Sequence, residues 1–178
     1  MRKIAIFDLD GTLAKTDAAN SAAYRVAMES VGIRNVSGLV GRTTADVVRA
    51  AIGDVAPVAI NDIVKAKVEA YCRELWRASL GPASDAFRCV IVNRSMIDKV
   101  VLLSDGNERR VMETLGHFGW RDIFDEIVCN GGKGDKYTSY FRNSDSDPAA
   151  CVVWENEEGQ IKSAIAAGVK VENIRKVG

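Results

Sequence analysis

A chain of 178 residues, 47% apolar and 27% charged, is long enough for one domain with an insert, and its composition excludes a coiled coil, a collagen-like repeat or a disordered chain. Its 24 Lys and Arg balance 24 Asp and Glu, so it lacks the basic footprint of a general nucleic-acid binder. No uncharged apolar run approaches the roughly 18 residues of a membrane span, and the run from Met1 to Asp8 is too short for a signal peptide, so a cytoplasmic protein without a membrane partner is expected.

The first predicted strand is Lys3 to Asp8, followed by a break at Asp10-Gly11-Thr12. Thr16 or Asp17 can open a helix that stops at Gly32, with Ala22, Ala23, Val26, Ala27 and Ser30 as a small-residue face. A second helical segment is predicted from Thr43 or Thr44 to Ile52. Pro57 opens a third, in which Ile60, Ile63, Val64, Ala66, Val68, Tyr71, Cys72, Leu75 and Trp76 recur at helical spacing until Gly81-Pro82. Residues 16–79 therefore read as an all-helical insert. Ala83 to Lys99 reads as a helix leading into a strand, with Cys89-Val90-Ile91-Val92 open to either reading. Val100 to Leu103 is a buried strand ending at Ser104-Asp105-Gly106. A helix from Glu108 stops at Gly116, and a strand follows Ile123 to Val128. After the Asn130-Gly131-Gly132 turn come a short helix, Lys136 to Arg142, and a polar loop to Pro148. Then follow a strand at Cys151 to Trp154, a helix from Glu157 to Ala167, and a last strand from Val169 to Ile174. Short apolar strands alternating with helices predict an α/β fold with a Rossmann-like, doubly wound parallel sheet. Residues 1–15 and 80–178 would form it. The four cysteines, Cys72, Cys89, Cys129 and Cys151, show no CxxC pair, which argues against structural zinc. Cys89, Cys129 and Cys151 are expected as buried thiols in strand-like runs.

In such sheets ligands bind beyond the carboxyl ends of the strands. The residues there are Asp8, Asp10, Ser104, Glu155 and Asn156, with Lys133 and Lys136 after the strand that ends near Cys129. Carboxylates, a hydroxyl and a lysine on one edge suit a phosphoryl group beside a divalent cation.

The run Phe7-Asp8-Leu9-Asp10-Gly11-Thr12-Leu13 resembles the first motif of the haloacid dehalogenase-like superfamily. Ser104 resembles the second-motif hydroxyl, and Lys136 the third-motif lysine, with Lys133 as its competitor. The insert resembles the helical cap of subfamily I. The resemblance implies a phosphomonoester hydrolase of a small phosphorylated metabolite. Asp8 would be the nucleophile that forms an aspartyl-phosphate. Asp10 would be general acid and then base, Ser104 a phosphoryl donor, and Lys136 the counter-charge. It implies Mg²⁺ as cofactor, held by Asp8, the Asp10 carbonyl and the fourth motif, here Glu155 and Asn156. Expected substrate contacts are Gly11, Thr12, Asp105, Gly106 and, from the cap, Arg42, with Tyr24, Arg25, Thr43 and Thr44 as further cap candidates. A phosphomutase, or a weakened relative with a binding role, are the alternatives. The assembly would be a monomer or homodimer.

The fourth motif departs from the family pattern. Asn156 and Gln160 stand where relatives carry acids. Glu155 is then left as the charged candidate ligand, and Glu157 and Glu158 suit a helix N-terminus. His117 is expected in a surface loop.

Overall fold

The structure, a computed structural model, describes residues 3–33, 46–49, 57–132 and 134–178. The chain divides into two compact units, Met1–Lys15 with Ser79–Gly178, and Thr16–Ala78.

The larger unit is a five-stranded parallel sheet. Its strands are β1 (Ile4–Phe7), β4 (Lys99–Ser104), β5 (Glu126–Cys129), β6 (Cys151–Glu155) and β7 (Ile174–Lys176), in the order β5-β4-β1-β6-β7. The chain moves outward from β1 through β4 to β5, then returns to the other side of β1 for β6 and β7. That reversal puts the switch of direction at β1 and β6, where open α/β sheets leave a crevice. A short antiparallel ribbon, β2 (Ala14–Lys15) with β3 (Ser79–Leu80), lies at the two points where the chain leaves and re-enters the unit.

Both faces are covered at the centre of the sheet, which is why β1 and the Val100–Leu103 stretch of β4 are continuously apolar and buried rather than alternating. Ala5, Phe7, Val100 and Leu102 face one way, against Phe87 of α3 (Ser84–Val92) and Val111 and Leu115 of α4 (Glu108–Phe118). Ile4, Ile6, Val101 and Leu103 face the other, against Tyr137 and Tyr140 of α5 (Lys136–Asn143) and Ala164 of α6 (Glu158–Ala166). Phe7 stacks on Trp154 with ring centroids 4.3 Å apart, joining β1 to β6.

The smaller unit pairs α1 (Asp17–Glu29) with α2 (Pro57–Glu74). Ala19 and Ala23 let Ala70, Tyr71 and Leu75 approach closely, and Ala27 and Met28 pack with Val48, Ile60 and Ile63. Lys67 is buried there with Nζ 4.6 Å from the Tyr24 ring centroid, a cation over an aromatic face.

Several sequence expectations are corrected. Cys89-Val90-Ile91-Val92 is helical, in line with the helix read over this stretch, but Cys89, expected as a buried thiol in a strand-like run, is exposed. Helix α4 runs through Gly116 and ends at Gly119, which takes the left-handed conformation (φ 72°) that closes a helix. Gly116 lies within the helix beside the Arg121 guanidinium, which a Cβ there would approach to 2.8 Å. His117 therefore sits exposed in the last turn of α4, not in a loop. The last strand begins at Ile174, because Val171–Asn173 forms a 3₁₀ turn. Trp76, expected among the apolar positions of its helix, is 66% exposed in a 3₁₀ turn beyond α2. No helix among the described residues is long and apolar enough to cross a membrane.

Candidate active site

Three adjacent strands deliver the first residues of the site. Asp8 lies one step past the paired Phe7 and Trp154, and its backbone N–H still donates to the Trp154 carbonyl at 3.1 Å. Glu155 and Ser104 close β6 and β4 on either side. Extended backbone ending at a common edge thus places two carboxylates and a hydroxyl together, all buried.

The fourth arrives from the first residue of α5. Asp135 caps that helix, accepting from the backbone N–H groups of Tyr137 at 2.9 Å and Thr138 at 3.1 Å. The cap fixes where the helix starts and so where Lys136 begins. Lys136 Nζ donates to Asp8 Oδ1 at 2.7 Å and pairs with Glu155 Oε2 at 2.8 Å. One buried cation therefore serves two buried carboxylates. Burial is the largest influence on Asp8. Lys136 pulls its carboxyl down, but burial together with the neighbouring Glu155 and Asp10 charges pushes it up to about 7. Burial works against the charge of Lys136, yet Asp8 and Glu155 outweigh it and hold the ammonium above the ordinary lysine range.

Glu155 has no oxygen to spare for a metal. Its Oε1 accepts from the backbone N–H groups of Asn156 at 3.0 Å and Glu157 at 3.1 Å, and its Oε2 takes Lys136 and the Tyr137 hydroxyl at 3.0 Å. The expectation that Glu155 ligates the cation gives way to a different part. It anchors Lys136 and ties the turn after β6 to α5.

Asp10 follows Asp8 on the way out of β1. Its carboxylate is gripped by Arg110, with Nη1 to Oδ1 at 2.8 Å and Nη2 to Oδ2 at 2.5 Å. Gly11 has φ 78°, and a Cβ on it would fall 2.3 Å from the Asn156 amide nitrogen, so the Asn156 side chain lies directly on this turn. Thr12, expected against substrate, is fully buried, and its hydroxyl donates to Asn156 Oδ1 at 3.1 Å. After Ser104, the Gly106 backbone N–H donates to Ser104 Oγ at 3.0 Å. Asp105, also expected against substrate, is engaged by Asn130 at 2.9 Å and by Gln160 at 2.6 Å. It links the loop after β4 to the loop after β5 and to α6. Arg42, Thr43, Thr44 and Lys133 lie outside the described residues. Tyr24 is buried against Lys67 in the helical unit, and Arg25 is exposed.

Two participants escaped the sequence reading, Tyr137 and Arg110. Nothing in the sequence marks the Tyr137 hydroxyl. Arg110 had a signal: it is the third residue of α4, and a cation in the first turn has the wrong sign for the helix dipole.

A divalent cation needs hard oxygen donors. Among the described residues no group of three or more His, Cys, Asp or Glu could hold a metal ion. What remains is the Asp8 carboxylate, the Asp10 carbonyl and the Asn156 amide oxygen. This set is all oxygen and carries one carboxylate charge. It fits Mg²⁺, which keeps several waters and binds through one or two carboxylates plus a substrate phosphate. One turn beyond Asn156, Oε1 of Gln160 is buried without a protein donor, an acceptor of the kind a hydrated cation's water satisfies.

The family model of haloacid dehalogenase-like hydrolases matches residues 5–174. Among solved structures, the chain is similar to CbbY from Rhodobacter sphaeroides in complex with phosphate, with TM-score 0.79 and 23% identity over 96% of this chain and 84% of that one. It is similar to a putative beta-phosphoglucomutase from Thermotoga maritima, with TM-score 0.69 and 22% identity over 98% and 84%. It is also similar to the beta-phosphoglucomutase of Clostridium difficile, with TM-score 0.75 and 18% identity over 99% and 92%. No curated protein sequence matches the chain.

Proposed function

The chain belongs to the haloacid dehalogenase-like hydrolase family, and from that premise we propose that it is a phosphatase of small phosphorylated metabolites working through an aspartyl-phosphate on Asp8. The observation that carries the reading is the buried Lys136 shared between Asp8 and Glu155. A lysine in that place offsets the charge that an attacking carboxylate and an incoming phosphoryl group would otherwise bring together.

In the first step the free Asp8 oxygen attacks phosphorus, the bond to the ester oxygen breaks, and Asp10 gives that oxygen a proton. In the second, Asp10 takes a proton from water as the water attacks the aspartyl-phosphate, releasing phosphate and restoring Asp8. Splitting one displacement in two is the gain from a covalent intermediate, and proton transfer by a positioned side chain contributes roughly 10² to 10⁴. Ser104 Oγ is the hydroxyl placed to donate to a phosphoryl oxygen. Asp8, the Asp10 carbonyl and Asn156 are the residues that would hold Mg²⁺, whose positive charge withdraws electrons from the phosphoryl oxygens when bound.

CbbY of Rhodobacter sphaeroides has been crystallised with xylulose-(1,5)bisphosphate, and a sugar phosphate is accordingly the first substrate class to try. Residues 1–15 and 80–178 form the catalytic body in this reading, and the helical insert 16–79 is the cap, to which substrate choice is assigned. A mutase reading differs only in returning the phosphoryl group to substrate. The test is a screen of purified protein with Mg²⁺ against sugar phosphates, nucleotides and small phosphate esters. Phosphate release and sugar-phosphate isomerisation are followed separately. Phosphate release that depends on Asp8 is expected; isomerisation without release would favour the mutase, and neither would remove the enzyme reading.

A further inference from the structure

Arg110 stands where helix electrostatics disfavour a cation, in the first turn of α4, yet it is largely buried. Its guanidinium meets both oxygens of Asp10 in a two-pronged pair, at 2.8 and 2.5 Å, with the Arg110 side chain 13% exposed and that of Asp10 30% exposed. A planar fork of this kind fixes the plane of a carboxylate as well as its position, which a lysine cannot do. The loop before α4 is cut to fit it. Gly106 has an ordinary backbone conformation, so glycine is required there by space. A Cβ would lie 2.6 Å from Arg110 Nη2, 2.8 Å from Val111 Cγ2 and 3.1 Å from Ser104 Oγ. The guanidinium thus reaches Asp10 by passing over the same loop that presents Ser104.

We infer that Arg110 is a positioning residue for Asp10, holding its carboxylate in one orientation toward the ester oxygen while contacting no substrate itself. The inference rests on the reading of Asp10 as the proton-transfer group. Asp10 is partly exposed on a turn, and the two-pronged pair fixes the plane of its carboxylate there. Displacement of a reacting group by about 1 Å is enough to cost roughly 10²-fold in rate.

The test combines Arg110→Met and Arg110→Lys with Asp10→Asn. Rates are measured on an alkyl phosphate and on p-nitrophenyl phosphate, whose leaving group needs little protonation, and crystal structures of wild type and Arg110→Met are compared. In the wild-type background Arg110→Met should lower kcat on the alkyl ester by about 10- to 100-fold and on the aryl ester several-fold less, with KM little changed. Arg110→Lys should recover only a small part. In the Asp10→Asn background Arg110→Met should cost nothing further, because a residue acting only through Asp10 has nothing left to position. An equal loss in both backgrounds would overturn the inference in favour of substrate contact or a purely structural part. No loss in either background would also overturn it. If wild type hydrolyses no ester, the phosphatase reading fails by itself and the crystal structures decide. Several Asp10 rotamers in Arg110→Met support the positioning part, and a single unchanged rotamer refutes it.

Discussion

Replacing Lys136 by Met removes the one cation shared by two carboxylates whose side chains are 7% and 1% exposed. Glu155 keeps three other donors, the Tyr137 hydroxyl and two backbone N–H groups. Asp8 loses its buried counter-charge, so most of the cost falls there. Removing one partner of a buried pair destabilises by roughly 3–5 kcal/mol. With a urea dependence of about 2 kcal/mol per molar, the unfolding midpoint should fall by roughly 1.5–2.5 M. The assay is urea unfolding at neutral pH in EDTA, followed by far-ultraviolet circular dichroism and by tryptophan fluorescence. Adding Glu155→Gln takes away one of the two stranded charges. The double variant should therefore be more stable than the sum of the two single losses indicates, by about 1 kcal/mol or more. A midpoint shift under about 0.5 M, or strict additivity, would refute the shared-cation argument.

Gly11→Ala should strain a residue at φ 78° and drive its Cβ into the Asn156 amide; a loss of about 1–2 kcal/mol of stability is expected, with weaker Mg²⁺ binding by calorimetry. Asn156→Asp restores a second carboxylate charge to the oxygen set around Asp8, and should tighten Mg²⁺ binding in calorimetry; unchanged affinity would remove Asn156 from that set. Burial raises the Asp135 carboxyl, but hydrogen bonds from the Ser163 hydroxyl and from Thr138 and Tyr137 outweigh it and hold it below the ordinary range. Its folded value lies below the unfolded one, so its contribution is complete above about pH 4 and fades as pH falls through the folded value. Asp135→Ala should therefore cost about 1 kcal/mol at pH 7, with the gap to wild type narrowing below pH 4; a gap independent of pH would contradict the capping argument.

How much of this was legible in the sequence depended on the range of the interaction. The run Asp8-Leu9-Asp10-Gly11-Thr12 is contiguous, so its acids and its turn could be read together. The central apolar strands could be read because both faces of the sheet are covered there, as Ile6 and Phe7 demonstrate by facing opposite cores. Helix ends were less legible. Gly116 and Gly119 look alike in sequence, and only Gly119 takes the left-handed conformation that closes the helix. Cys89-Val90-Ile91-Val92 is an apolar run whose composition suits a strand as well as a helix, and packing decided it. Charge partners were the hardest. Arg110 meets Asp10 across 100 positions of sequence. Glu155 looks like a metal ligand until its four donors are counted, and three of those come from its own turn and from Tyr137.

The most direct test of the account is to find the covalent intermediate. Wild-type protein is incubated with Mg²⁺ and a small reactive phosphoryl donor such as acetyl phosphate, quenched in acid, digested and analysed by mass spectrometry. A phosphoryl adduct on the peptide carrying Asp8 is expected, mapped to Asp8 itself and missing from a folded Asp8→Asn variant that also fails to release phosphate. Phosphate release at the wild-type rate by Asp8→Asn, or an adduct on any other residue, would contradict it.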